Sequence, residues 1–326
     1  MLSKEPVLAR AHTNIAVIKY WGKADEKIII PQSSSLSLTL KEFYTDTAVK
    51  FLNDLKQDQI RINHQRIPVS KKIMAVLNLV RKLANTKAHA VVNSVNHVPT
   101  SAGLASSASG LSALALASSY AAGLRLSKQD LSRLARHGSG SASRSIFGGW
   151  VEWQRGHDNH SSYAFPIKDS TLNDVDMIAI IIKKTPKKIS SRQGMRRSVK
   201  TSPYYGAWKE MTAKDLTTAV NALQNDDFRT LGHVAETNAM RMHALTLSAD
   251  PPFMYFNGDT IKIIDLINDL QAKGVNCYYT IDAGPNVKVI CQHCDSLRIK
   301  RYLSKFFNPN KIVISGPGPG AHLIQK

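Results

Sequence analysis

Between residues 101 and 110 of this 326-residue chain, every position except Leu104 is Gly, Ala or Ser, within the string VPTSAGLASSASG at 98–110. Small side chains let backbone N–H groups approach a ligand closely, and Gly103 can take a positive φ at little steric cost. The run LSALALASSYAAGL that follows is rich in helix formers, so the loop is predicted to open onto a helix N-terminus. Unpaired N–H groups and the positive end of the dipole favour a phosphate chain there. The hydroxyls of Ser106, Ser107 and Ser109 add ligands for phosphate oxygen or Mg²⁺. This is not a Walker-type loop, because no Lys follows Gly110, and its glycines lack the dinucleotide spacing. The competing reading is a Ser/Ala linker running into a tightly packed helix.

The chain is longer than one hydrophobic core usually supports, which predicts two domains, placed at 1–182 and 183–326. A hydrophobic content of 43% excludes a disordered chain. No apolar run reaches the roughly 18–20 residues that span a bilayer. The start, MLSKEPVLARAHTN, lacks the apolar core of a signal peptide, so a cytoplasmic protein without membrane partners is expected. Three cysteines, Cys277, Cys291 and Cys294, cannot all pair, which suits a reducing compartment. Cys291-Gln-His-Cys294 has C-x-x-C spacing, but a zinc site needs a second ligand pair, and strand alternation points His293 elsewhere. A redox role would require the motif to open a helix after a strand. The net charge of +19 attracts polyanions, and nucleic acid, anionic membranes and phosphorylated metabolites all qualify on charge. Aromatic residues make up 7%, and the basic residues are not interleaved with them as a base-stacking platform requires. No nucleic-acid partner is expected.

Alternation and β-branched content predict strands at 7–18, 33–40, 46–52 and 88–96, with an amphipathic helix at 71–84. Ser127 is a predicted N-cap for a helix ending at Gly138, and 145–154 reads as turn and strand. A buried strand at 176–184 opens the second unit. The stretch 183–200 holds eight basic residues and no acidic one, and reads as a solvated loop. Helices are predicted near 213–224, 227–245, 260–273 and 296–306, and strands at 276–282, 286–291 and 311–316.

Four further segments carry groups capable of chemistry. NIAVIKYWGK (14–23) offers two lysines and a tyrosine, SGSASRSIFGGW (139–150) places Arg144 among small residues, ISSRQGM (189–195) lies in the basic stretch, and TIDAGPN (280–286) puts Asp282 at a strand end. Each also has a plain structural role. Lys19 and Lys23 could be solvated, Arg144 could cap the preceding helix, and Asp282 could hold its turn through an Asx bond.

Together, NIAVIKYWGK, VPTSAGLASSASG, GSGSASRSIFGGWVEW, MHALTLSADPPFMY and YTIDAGPNVKV resemble the diphosphomevalonate decarboxylase family of the GHMP kinase superfamily. The resemblance runs in order from near residue 10 to SGPGPG at 315–320. It implies an α+β protein of the GHMP kinase fold, with an N-terminal unit like ribosomal protein S5 domain 2 and a ferredoxin-like C-terminal unit. It implies a homodimer that uses MgATP to convert mevalonate 5-diphosphate into isopentenyl diphosphate, CO2, ADP and phosphate. Asp282 is placed beside the C3 hydroxyl, as base or as an anion stabilising the developing cation, and Arg144 on the C1 carboxylate. Ser191 and Arg192 belong to a segment that closes over substrate, with Tyr20, Lys23, Arg192 and Met195 around the diphosphate. Asn14, Lys19 and Ser141 are expected nearby.

For ATP, the resemblance assigns Ser101, Gly103, Ala105, Ser106, Ser107 and Ser109 to the phosphates, with Ser106 near Mg²⁺. It puts Ser94 and Asn96 near the nucleoside, and Lys71 and Lys187 near the nucleotide. Ser101 stands where Ala is expected. Two polyanionic substrates make positive potential useful, although +19 exceeds what they require. The rival readings are a related kinase, a decarboxylase of the monophosphate, and a basic S5-like RNA-binding protein. Asp282 together with Arg144 favours coupled decarboxylation.

Overall fold

The computed structural model describes residues 1–97, 106–168, 170, 172–182 and 188–324, with the side chain of Ser106 excluded. The chain opens with β1 (Val7–Ile18), the small hairpin β2 (Lys23–Asp25) and β3 (Ile30–Pro31), and the long β4 (Ser35–Leu52). There follow β5 (Gln59–Ile62), β6 (Gln65–Ile67), α1 (Lys71–Ala84), β7 (His89–His97), α2 (Ser106–Ala121) and α3 (Lys128–Gly138). A short 3-10 helix, Gly140–Ile146, leads to β8 (Trp150–Trp153) and β9 (Ala164–Pro166). The second half comprises β10 (Val175–Ile180), α4 (Ser191–Thr201), α5 (Tyr205–Gln224), α6 (Phe228–Leu247), α7 (Gly258–Ala272), β11 (Cys277–Ile281), β12 (Val287–Gln292), α8 (His293–Leu303), β13 (Ile312–Ser315) and β14 (His322–Leu323).

The first sheet runs β14-β1-β4-β7-β5-β6, with β8 and β9 continuing from the front half of β4. The strands expected at 33–40 and 46–52 are one strand. Its polar interruption, Lys41-Glu42, coincides with a register shift between His12↔Tyr44 and Asn14↔Thr39. His12 Nδ1 lies 2.9 Å from the Lys41 carbonyl there, so the strand bends without ending. Helices α1, α2 and α3 cover one face, with Val76, Leu77, Leu114 and Leu134 buried against Val49, Ala90 and Val92.

The second sheet is antiparallel with order β11-β12-β10-β13, the βαββαβ order of a ferredoxin-like unit. Strand β10 belongs to it, so the changeover between sheets falls before Val175, whereas a division at 182 separates β10 from its neighbours. The chain end returns to the first sheet through β14. Helices α7 and α8 pack on one side of the second sheet. Between the two sheets lies α5 with α6: Leu223, Leu231 and Ala235 share one core with Ile15 and Leu38 of the first sheet and Met177 of the second. A shared core fixes the two units relative to each other.

The basic stretch departs from the loop expected of it. Ser190 and Gln193 form a reciprocal capping box, and residues 191–201 are helical, with Gly194 and Ser198 facing inward. The C-x-x-C motif does join a strand to a helix. All three thiols are nonetheless free, and burial pushes Cys277 up to about 12 and Cys291 higher still. Those two buried thiols, Cys277 and Cys291, stay protonated. His293, expected to alternate out of a strand, begins α8 and pairs with Asp176 at 2.8 Å.

Gly232 lets α6 lie directly on β11, since a Cβ there would sit 1.9 Å from Tyr278 Cδ2. Gly232→Ala is expected to cost about 1–3 kcal/mol through overpacking. Urea or thermal melts read this as a lower midpoint, and an unchanged midpoint contradicts the close packing.

Candidate active site

A cleft of about 290 Å³ opens between the end of β1, the 3-10 helix, the first turn of α4 and the β11–β12 turn. At its floor lies Asp282, just beyond β11, with 37% of its side chain exposed. Lys19 reaches it from the end of β1, Nζ donating to Oδ1 at 2.8 Å and to the Ala16 carbonyl at 2.8 Å. Lys288 of β12 donates from Nζ to Oδ2 at 2.9 Å. Both lysines are buried, at 2% and 3% exposure. Burial alone would raise the Asp282 carboxyl, but the two ammonium charges and their hydrogen bonds outweigh it and hold the group far below the usual carboxylate range. Burial pulls Lys19 down to about 8, against the opposing pull of Asp282. The backbone N–H of Lys19 donates to Asn238 Oδ1 at 2.8 Å, and Asn238 Nδ2 donates to Asp215 at 2.9 Å, so α5 and α6 fix the lysine from behind.

Arg144 faces the same cleft and is 2% exposed. Its Nε donates to Asn14 Oδ1 at 3.1 Å and its Nη1 to Ser35 Oγ at 2.7 Å, with the guanidinium 5.9 Å from the Trp153 ring. Asn14 is held by donating to the Ser141 carbonyl at 2.9 Å and to Ser145 Oγ at 2.7 Å. Burial lowers Arg144 to about 10, so it stays charged at neutral pH. Among the described residues no carboxylate lies within ion-pair distance of it. A buried guanidinium without a counter-ion is poised for a ligand carboxylate.

The cleft mouth is cationic. Lys23 is drawn down to about 8 by burial and by Arg192, and the same two causes lower Lys72. The one acidic group acting on Lys23, Glu26, is itself paired with Arg196 and opposes the fall without cancelling it. Tyr20 and Trp21 line the same cavity, while the Tyr20 hydroxyl and Trp21 Nε1 are themselves buried and find no hydrogen-bond partner among the described residues. Ser141, Ser191 and Met195 complete this wall. Among the described residues the lining thus carries six cations, Lys19, Lys23, Lys72, Arg144, Arg192 and Lys288, against the single carboxylate of Asp282.

A second cleft of about 170 Å³ adjoins it, sharing Lys72 and Ser107. Its walls are apolar, from Ile60, Ile62, Ile73 and Val92, with Ser94 and Asn96 at one edge. Ser94 is fixed by Thr47 at 2.8 Å and Asn96 by Thr45 at 2.9 Å. An apolar slot with a few polar groups suits a nucleoside. No group of three or more His, Cys, Asp or Glu among the described residues is placed to hold a metal ion. Among the described residues the oxygen ligands beside this slot are neutral, the hydroxyls of Thr45, Ser70, Ser94 and Ser107 and the Asn96 amide, which fits Mg²⁺ carried in by phosphate oxygens and water.

The structure thus brings together Asn14, Lys19, Tyr20, Lys23, Ser141, Arg144, Ser191, Arg192, Met195 and Asp282 in one cleft, with Ser94, Asn96 and Ser107 in its neighbour. Two expected nucleotide contacts face elsewhere. Ser109 is fully buried, its hydroxyl joined to Thr45 at 2.8 Å and Thr13 at 3.3 Å. Lys71 is exposed at the start of α1 and lines neither cleft, while Lys72, about 100° further round the helix, lines both. Ser101, Gly103, Ala105 and Lys187 lie outside the described residues, as does the Ser106 side chain. Lys288 was missed by sequence reasoning. Its signal was a lysine inside the apolar run VKVIC, where a buried charge requires a partner.

Two sheets sharing a helical core, with a cleft between a small-residue helix start and a ferredoxin-like unit, define the GHMP kinase fold. Models of the diphosphomevalonate decarboxylase-like N-terminal domain and the mevalonate 5-diphosphate decarboxylase C-terminal domain match residues 11–164 and 177–316. The human diphosphomevalonate decarboxylase is 35% identical over 318 residues, covering 89% of this chain and 78% of that protein. The solved mevalonate diphosphate decarboxylase of Staphylococcus aureus is 43% identical at a TM-score of 0.95, covering 98% of each chain. A structure described as MDDEF in complex with MVAPP, AMPPCP and magnesium is 47% identical at a TM-score of 0.95, covering 98% of this chain and 99% of that one. The chain belongs to the diphosphomevalonate decarboxylase family.

Lys19 is expected to titrate near pH 8 by NMR of labelled lysine. Asp282→Asn removes the group that holds this value up, so the midpoint should fall further. A midpoint near 10.4, the ordinary lysine value, in either protein contradicts the burial of this amine.

Proposed function

We propose that this protein catalyses the ATP-dependent decarboxylation of mevalonate 5-diphosphate to isopentenyl diphosphate, with CO2, ADP and phosphate as the other products. The observation that carries the reading is the pairing of Asp282 and Arg144 across one cleft. The substrate is a tertiary alcohol with a carboxylate one carbon away. Hydroxide leaves poorly, so the C3 oxygen must first be phosphorylated. Phosphate then departs, positive charge grows at C3, and the C1–C2 bond supplies the electrons of the new double bond as CO2 leaves.

Arg144 takes the C1 carboxylate with a planar fork and aligns the C1–C2 bond for elimination. Strong charge pairing would oppose release of neutral CO2, so its work is orientation. Asp282 faces the C3 hydroxyl and, once that oxygen has left, stands beside the growing cation. Lys23 and Arg192, with Tyr20 beside them in the same lining, receive the diphosphate, a reading supported by the way burial and the repulsion between the two cations lower Lys23. ATP occupies the adjoining slot, with its base between Ile73 and Val92 and its phosphates directed past Ser107 and Lys72. Ser106 at the start of α2 is the proposed protein contact of Mg²⁺, which supplies charge neutralisation on the phosphates when bound. Ser191 and Arg192, in the first turn of α4, close over the substrate and keep water from the cationic carbon. The family resemblance extends this reading to a homodimer in the cytoplasm.

Incubation with ATP, Mg²⁺ and mevalonate 5-diphosphate should yield CO2 and ADP in equal amounts. ADP without CO2 would point to the related kinase. Asp282→Asn is expected to retain nucleotide binding and lose turnover by a factor on the order of 10² or more. Comparable ADP release from both proteins contradicts the role given to Asp282.

A further inference from the structure

Lys288 occupies a costly position. Strand β12 is interior to its sheet, and Val287, Val289 and Ile290 around the lysine are fully buried. Its cross-strand neighbours, Ala179 on β10 and Thr280 on β11, carry no charge. Among the described residues its counter-ion is Asp282, whose other oxygen Lys19 already holds. An apolar residue would suit this strand better, so the ammonium serves the carboxylate rather than the core.

We propose that Lys288 is a positioning residue: with Lys19 it pins both oxygens of Asp282, so that the carboxylate meets the C3 hydroxyl as a fixed anion and hydrogen-bond acceptor and does not take up its proton. The proposal rests on the decarboxylase reading and assigns a division of labour within it. Each pinned oxygen keeps a lone pair for the substrate hydroxyl. In the transfer step the bond from the γ-phosphorus to the ADP oxygen breaks and the bond to the C3 oxygen forms. The hydroxyl proton moves to a non-bridging oxygen of the transferred group. In the elimination step the C3–O bond breaks and the group leaves as hydrogen phosphate. The C1–C2 electron pair becomes the C2–C3 double bond and CO2 departs. A loose phosphoryl transfer needs positioning more than a strong base. The anion is then still charged when the cation develops beside it.

The groups facing Asp282 agree with this assignment. Lys19 from the end of β1, Lys288 from β12 and Arg144 from the 3-10 helix are cations that favour the ionised carboxyl. His243 from α6 is held at about 3, chiefly by burial, and is neutral across the working range. The sign follows: removing one ammonium raises the Asp282 midpoint, because burial then meets less opposition.

The experiment reads Asp282 directly in the full chain, by carboxyl-carbon NMR titration assigned through the signal lost in Asp282→Asn, beside the pH profile of kcat. In wild type the carboxyl should stay ionised to the acid end of the folded range. In Lys288→Met and Lys288→Gln the carboxyl midpoint and the acid limb of kcat should rise together by at least about one pH unit. Lys288→Arg should restore both, with the KM for ATP unchanged throughout. An unshifted carboxyl in either folded variant, or a loss of kcat uniform with pH, overturns the proposal. Wild-type protein that releases no CO2 would overturn the decarboxylase reading instead, and leaves the carboxyl titration to be judged separately.

Discussion

One carboxylate holding two buried ammonium groups is the constraint around which the site is arranged. Lys19 and Lys288 come from different sheets, and neither has the hydration that would make its charge tolerable alone. Asp282 therefore links the two halves of the molecule at the floor of the cleft. It remains partly open to the cavity, which is what lets a substrate reach it. The same arrangement leaves Arg144 hydrogen-bonded to Asn14 and Ser35 but without a carboxylate among the described residues, since Asp282 is already committed. A buried cation without a carboxylate partner among the described residues and a pinned anion open to the cavity are the two features that the proposed β-hydroxy acid substrate would require.

The fold delivers this geometry by placing strand ends rather than loops at the floor. β1 ends at Ile18, one residue before Lys19, β11 ends at Ile281, one residue before Asp282, and Lys288 lies within β12. Side chains rooted in or beside paired strands keep their separation. Helices α5 and α6 hold the sheets together through a shared apolar core, and Asn238 ties the Lys19 backbone to α6. The groups at the mouth sit on shorter elements: Lys23 on a two-strand hairpin, Arg192 in the first turn of α4. A rigid floor with a lighter rim suits a site that must admit two polyanions and then exclude water.

Much of this was legible in the sequence where local chemistry and tertiary placement agree. The period of β1 and the amphipathic α1 appear at 7–18 and 71–84, as their patterns require. Asp282 and Arg144 were readable as candidates because each is an isolated charge among small or apolar residues. The basic stretch was misread because charge density masked the Ser190–Gln193 capping box, which starts a helix regardless of net charge. The strands expected at 33–40 and 46–52 are one, because pairing with β1 on both sides of the bend carries the strand through. Lys71 against Lys72 is a matter of helix phase, and Ser109 against Ser107 is one of which face of α2 meets the sheet. Composition does not resolve such differences. Pairing does.

The most direct measurement is a crystal structure with mevalonate 5-diphosphate bound. The account predicts the C1 carboxylate on the Arg144 guanidinium and the C3 hydroxyl within hydrogen-bonding distance of Asp282, with Lys19 and Lys288 still on its oxygens. A substrate whose carboxylate lies away from Arg144, or whose hydroxyl points away from Asp282, would contradict it.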